Sequence, residues 1–211
     1  MPASSSDVAF SPAVKAVQAA RGSRQQYARL EARGGWKNEI DADLAGFIAE
    51  RTSFYMATAS ADGQPYVQHR GGPAGFLRVL DARTLAFADF KGNRQYISTG
   101  NLTENSRVML FLMDYQNRRR VKLWGSARVS DDTALMAQLQ PEGYGGKPEQ
   151  AIVIMVNAWD VNCNQHIPQM FAAEDVAAAL GHVQARLRDL DAEATTLKAR
   201  IAELEASLTD R

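Results

Sequence analysis

The sequence predicts a mainly β protein, a small antiparallel barrel with helices ahead of it and one long helix behind. Three observations predict it. Between Phe54 and Val129, short apolar runs recur at close spacing with turn residues between them, the pattern of an antiparallel barrel. Ahead of that stretch, Ser11-Pro12 and Asp41 stand where helix-start residues belong. Behind it, from Val176 to Leu208, apolar residues recur at alternating intervals of four and three, an unbroken heptad seam. The expected division is a helical extension over residues 1–40, the barrel over 41–170 and the heptad helix over 171–211.

The elements follow in order. Residues 1–10 show no periodicity and are expected to be disordered. Ser11 caps a helix over 12–21 with proline at its first position, and a second helix runs over 24–33 to Gly34-Gly35. Asp41 caps a helix over 42–51 whose Leu44, Phe47 and Ile48 share one face and plug one end of the barrel. The run 54–59 turns at Asp62-Gly63, a strong hairpin signal, and returns over 66–70 into Gly71-Gly72-Pro73. A second hairpin pairs 75–80 with 84–89. A helix is expected over 93–101, then strands over 107–113 and 119–129. Asp131-Asp132 caps a short helix over 133–139, and 141–148 is a loop by composition. The nearly all-apolar run 151–156 reads as a central strand buried on both faces. The heptad seam suits a partner helix better than a globular surface; the alternative is a helix lying back on its own barrel.

Composition removes whole classes of function. Lys+Arg and Asp+Glu both total 24, so no global field draws in nucleic acid or an anionic membrane. A lone cysteine, Cys163, excludes an internal disulfide framework and fits a reducing compartment. No apolar run approaches the roughly 18 residues of a membrane span. The first residues lack the basic and apolar regions of a secretory signal. A soluble cytoplasmic protein is expected, with neither nucleic acid nor membrane as partner.

No CxxC, HExxH, GxSxG or phosphate-loop pattern is present, and His69, His166 and His182 lack metal-ligand spacing, so no metal is expected. Cys163 and His166, three apart in an irregular segment, are a weak nucleophilic pair. More informative are three cationic segments suited to a planar ligand that carries phosphate. Arg70 ends a strand before Gly71-Gly72, where backbone can approach a ligand. Lys91-Gly92-Asn93-Arg94 precedes a helix N-terminus, with its free N–H groups and positive dipole end. Arg118-Arg119-Arg120-Val121-Lys122 adds cations on a third segment. Singly, each also reads as a solvated turn.

The order of a strand ending in Arg70, Leu85-Ala86-Phe87-Ala88-Asp89, Gly92-Asn93-Arg94, Asn101-Leu102-Thr103-Glu104-Asn105 and Arg120-Val121-Lys122-Leu123-Trp124-Gly125 resembles the pyridoxamine 5′-phosphate oxidase-like family of FMN-binding split barrels. The resemblance spans roughly residues 48–168. It implies FMN as cofactor and a homodimer with flavin at the subunit interface. It would place Gln68, His69 and Arg70 along the flavin, Phe87 and Ala88 beside its ring or ribityl chain, and Asn93 and Arg94 on its phosphate. Arg120 of the second chain, with Lys122, would stand near the ring, and Trp159 would reach across the dimer. Apart from the resemblance, His166 is the candidate proton donor to substrate, since an ordinary histidine titrates close to neutral pH.

Two departures bear on substrate. Gln95 stands where the family's phosphate corner carries a second basic residue. Asn164-Gln165-His166-Ile167-Pro168-Gln169 replaces the arginine-bearing segment with which true pyridoxamine phosphate oxidases read their substrate. A phosphate substrate would lose its charge-assisted partners there. The expectation is an enzyme, a dimeric FMN-dependent oxidoreductase acting on a small organic molecule other than pyridoxamine phosphate. A deazaflavin-dependent reductase and a non-enzymatic haem- or flavin-binding split barrel are the alternatives.

Overall fold

The computed structural model describes residues 4–161 and 164–209. They form two compact units, Met1–Ile167 and Pro168–Arg211. The first holds a seven-stranded antiparallel sheet in the order β2-β1-β5-β6-β7-β4-β3. Its strands are β1 (Ser53–Ala59), β2 (Pro65–Gly71), β3 (Arg78–Asp81), β4 (Thr84–Phe90), β5 (Arg107–Asp114), β6 (Arg119–Ser130) and β7 (Pro148–Val161). Helices α1 (Pro12–Ala20), α2 (Arg24–Ala32), α3 (Ala42–Ala49), α4 (Ile97–Glu104) and α5 (Thr133–Leu139) accompany it. The second unit is α6 (Ala173–Thr209).

Period-two alternation builds the core. Phe54 and Met56 of β1, Val108, Leu110 and Leu112 of β5, and Val121 and Leu123 of β6 all turn to one side and are buried. Leu44, Phe47 and Ile48 of α3 join this same cluster, as the spacing of that helix predicts. The sheet curls until its first strand faces its far end. Phe54 meets the Phe87 ring edge-on at 5.3 Å, and Phe76 stacks on Phe54 at 5.6 Å. No backbone pairing joins β2 to β3 or β4 among the described residues. The barrel is therefore split along that line.

Asp41 caps α3 as expected, accepting from the Leu44 amide at 2.9 Å and from Lys37 Nζ at 2.7 Å. The Lys37 bond, followed by the Leu44 amide, holds its carboxyl below the usual range. Stability from a lowered carboxylate is present above the unfolded pKa and lost as pH falls through the folded one. Asp41→Ala should therefore cost about 1 kcal/mol at neutral pH. The difference from wild type should vanish in acid, below the folded pKa. Urea melts at both pH values check this.

Three expectations are corrected. Residues 5–8 form a 3₁₀ turn: Ser6 is fully buried, and Phe10 lies between Tyr27 at 5.1 Å and Trp36 at 4.9 Å. Trp36 in turn stacks on Trp124 at 4.7 Å, so the segment after α2 covers part of the outer face of β6. The run 151–156 is buried on both faces only where α5 covers it, since Met155 is 47% exposed. Gly125 sits at a bulge, where an added Cβ would lie 2.4 Å from the Met155 carbonyl oxygen. Finally, the helix expected over 93–101 starts at Ile97 and ends at Glu104. Arg94 and Tyr96 hold φ at 61° and 52°, left-handed values that no helix can include.

Candidate functional site

The split between β2 and β4 is a cleft. Alternation along β2 leaves Tyr66, Gln68 and Arg70 half-buried and sends Val67 and His69 to the exposed side. From the far wall β4 contributes Asp89 and Phe90, and β7 contributes Glu149. The segment 91–96 and the first turn of α4, Ile97-Ser98-Thr99, form the third side. The space enclosed is about 280 Å³. A smaller cavity of about 170 Å³ adjoins it and shares Gln68, Arg70, Asp89 and Phe90. Phe76, Phe87 and Ala88 line one side of that second space.

Arg70 Nη1 donates to Asp89 Oδ1 across the split, with only 11% and 13% of the two side chains exposed. The second oxygen of Asp89 accepts from Gln150 Nε2 at 2.8 Å, and the same amide reaches Thr99 Oγ1 at 2.8 Å. The carboxylate is therefore fully engaged. Arg70 Nε, by contrast, is buried with no acceptor among the described residues. A buried donor without an acceptor costs stability until something supplies one. Ser98 Oγ donates to Gln68 Oε1 at 2.8 Å, which leaves the Gln68 NH₂ group to donate into the cleft.

The rim is built by the strained segment. Arg94 Nε donates to Tyr96 Oη at 2.9 Å and stands 3.9 Å from Glu149 Oε1, with 60% of its side chain exposed. The Tyr96 hydroxyl raises the already high Arg94 pKa further, so its charge is permanent. Tyr96, the N-cap of α4, gives no side-chain hydrogen bond to the helix, so the first-turn amides have no cap. One end gathers Asn93, Arg94 and the uncapped amides of α4 beside Glu149, and the adjoining space carries the Phe76 and Phe87 rings. The arrangement suits a ligand with an anionic tail and a flat head.

Of the residues singled out in the sequence, Gln68, His69, Arg70, Phe87, Ala88, Asn93 and Arg94 border the two cavities. The His69 ring itself packs edge-on against Tyr55 at 5.6 Å. The others lie elsewhere on this chain. Arg120 and Lys122 share the outer face of β6 with Trp124; Arg120 Nε is buried there without an acceptor among the described residues, and Lys122 pairs with Asp160 at 3.1 Å. Trp159 is 8% exposed in its own core, where its Nε1 donates to the Glu39 carbonyl at 2.8 Å. Within this chain Trp159 lines neither cavity. His166 is exposed, with φ at 61°, and lines neither cavity; Cys163 lies outside the described residues.

Sequence reasoning missed Asp89, Glu149 and Gln150 as site residues, together with Ser98 and Thr99. Only Asp89 carried a signal, as an acid closing an apolar strand. Among the described residues there is no cluster able to hold a metal ion, and no helix is long and apolar enough to cross a membrane.

Residues 40–163 match a family model described as pyridoxamine 5′-phosphate oxidase. A search of curated proteins found no match. Among solved structures, HupZ of Group A Streptococcus is similar at 18% identity and a TM-score of 0.48, covering 63% of this chain and 99% of its own. An FMN-binding protein of Syntrophomonas wolfei has 9% identity and a TM-score of 0.45, covering 69% and 97%. A Clostridium acetobutylicum protein related to general stress protein 26 has 13% identity and a TM-score of 0.42, covering 62% and 92%.

Proposed function

Because the chain belongs to the pyridoxamine 5′-phosphate oxidase family, we propose that it is a flavin-dependent oxidoreductase that holds FMN in the β2–β4 cleft. Its substrate is a small organic molecule other than pyridoxamine phosphate. The observation that carries the reading is the buried, acceptor-less Arg70 Nε inside a cleft that also gathers Gln68, Asn93, Arg94 and the uncapped start of α4. That donor set fits a phosphate tail and a flavin's ring oxygens. Asn93, Arg94 and the first-turn amides would hold the phosphate, and Gln68 would orient the ring. Phe76 and Phe87 would exclude water from the inner end. Bound FMN supplies reversible two-electron chemistry, and the chain supplies binding and orientation. A homodimer with flavin at the subunit interface belongs to the same reading. A chain located in the cytoplasm fits its charge balance and its single cysteine.

The substrate restriction follows from the absence of any arginine between Asn162 and Ala185. The test is a flavin titration of the purified protein, followed by assay with pyridoxamine phosphate. FMN should saturate one site per chain with a shifted flavin spectrum, and pyridoxal phosphate should not accumulate at an enzymatic rate. A protein that ignores FMN, or shows a Soret band instead, sinks the cofactor reading. Steady pyridoxal phosphate production sinks the substrate reading.

A further inference from the structure

The C-terminal unit carries an apolar seam along a helix of 37 residues, about 55 Å at the usual rise per residue. Its large seam side chains are exposed, from 43% at Leu190 to 72% at Leu208. The opposite face repeats Ala178, Ala185, Ala192, Ala199 and Ala206 at intervals of seven, so it is rich in the strongest helix former and bears no second apolar stripe. One face therefore seeks one partner. We propose that α6 pairs with α6 of a second copy of this chain, parallel and in register.

The charges beside the seam choose both the occupant and its direction. Arg186, Glu193 and Arg200 each precede one core position, while Asp191, Lys198 and Glu205 each follow the other. In a parallel in-register pair, the first kind faces the second kind five residues further along the partner. Arg186 then meets Asp191, Glu193 meets Lys198, and Arg200 meets Glu205, and each contact occurs twice by symmetry. Every one is attractive. In a fully overlapping antiparallel pair the same residues meet their own kind. Arg186 then faces Arg200, while Glu193 and Asp191 each face their own copies. Every one of those is repulsive, and sliding by a heptad to escape uncovers seam at both ends. Arg200 also bonds Glu203 of its own helix at 2.8 Å, but both side chains are 67% exposed, and such a surface pair yields readily.

The test uses the full chain with Cys163→Ser and Leu204→Cys. In the parallel pair the two introduced thiols share a layer. In the overlapping antiparallel pair residue 204 lies opposite residue 180, and the thiols are roughly 36 Å apart. Mild oxidation should link nearly all chains into dimers. Adding Glu193→Lys sets two like-charge pairs against Lys198, and dimer affinity should fall about tenfold. Adding Lys198→Glu to that variant should restore it. Three results would each overturn the proposal: a chain that sediments as a monomer, a dimer that does not link, or a dimer affinity indifferent to Glu193→Lys.

Discussion

Replacing Arg70 with alanine should cost about 3–5 kcal/mol of folding stability. The size follows from what remains behind. Asp89 is nearly buried, and without Arg70 its charge keeps only the neutral Gln150 amide. The pair itself is not the source of that energy, since desolvating two ions offsets most of their attraction. A double variant, Arg70→Met with Asp89→Asn, should therefore recover most of the loss while still failing to bind FMN. Urea unfolding of the three proteins measures the first part, and flavin fluorescence measures the second. A single variant that melts within 1 kcal/mol of wild type would mean that water reaches the pair and the split is open to solvent.

Arg94→Ala should behave in the opposite way, with FMN affinity falling about ten- to a hundred-fold while unliganded stability hardly changes. Arg94 is mostly exposed and sits in a left-handed backbone segment that contributes little to the core. On the proposed reading, its value would lie in a permanent charge beside the ligand's phosphate. Riboflavin, which lacks the phosphate, should bind mutant and wild type equally. Titration of both flavins against both proteins decides the matter. Equal FMN affinity in the two would place the phosphate elsewhere.

The strands were legible because Phe54, Leu110 and Leu123 announce their faces by simple alternation, and Asp62-Gly63 and Asp41 are unambiguous punctuation. The start of α4 was not. Asn93-Arg94-Gln95-Tyr96 contains no glycine, yet Arg94 and Tyr96 both turn left-handed, a choice imposed by surrounding structure rather than by their own preferences. Gln150 and Glu149 were hidden for another reason. They open an apolar run that sequence assigns to the core, and only the pairing of β4 with β7 sets them beside Asp89. The N-terminal residues lacked periodicity because Ser6 and Phe10 are anchored by isolated local contacts, not by a repeating face.

The split has one more consequence, for behaviour in concentrated solution. A strand that pairs on one side only offers its other side to any passing chain, and β2 is such a strand. Pro65 at its start has no N–H to give, and the inward charge of Arg70 is costly for an invading strand to bury. The cleft that would accept a ligand is thus also the place where aggregation would begin. A molecule lodged there would shield that edge as well as serve chemistry, and a preparation stripped of it would be the first to precipitate.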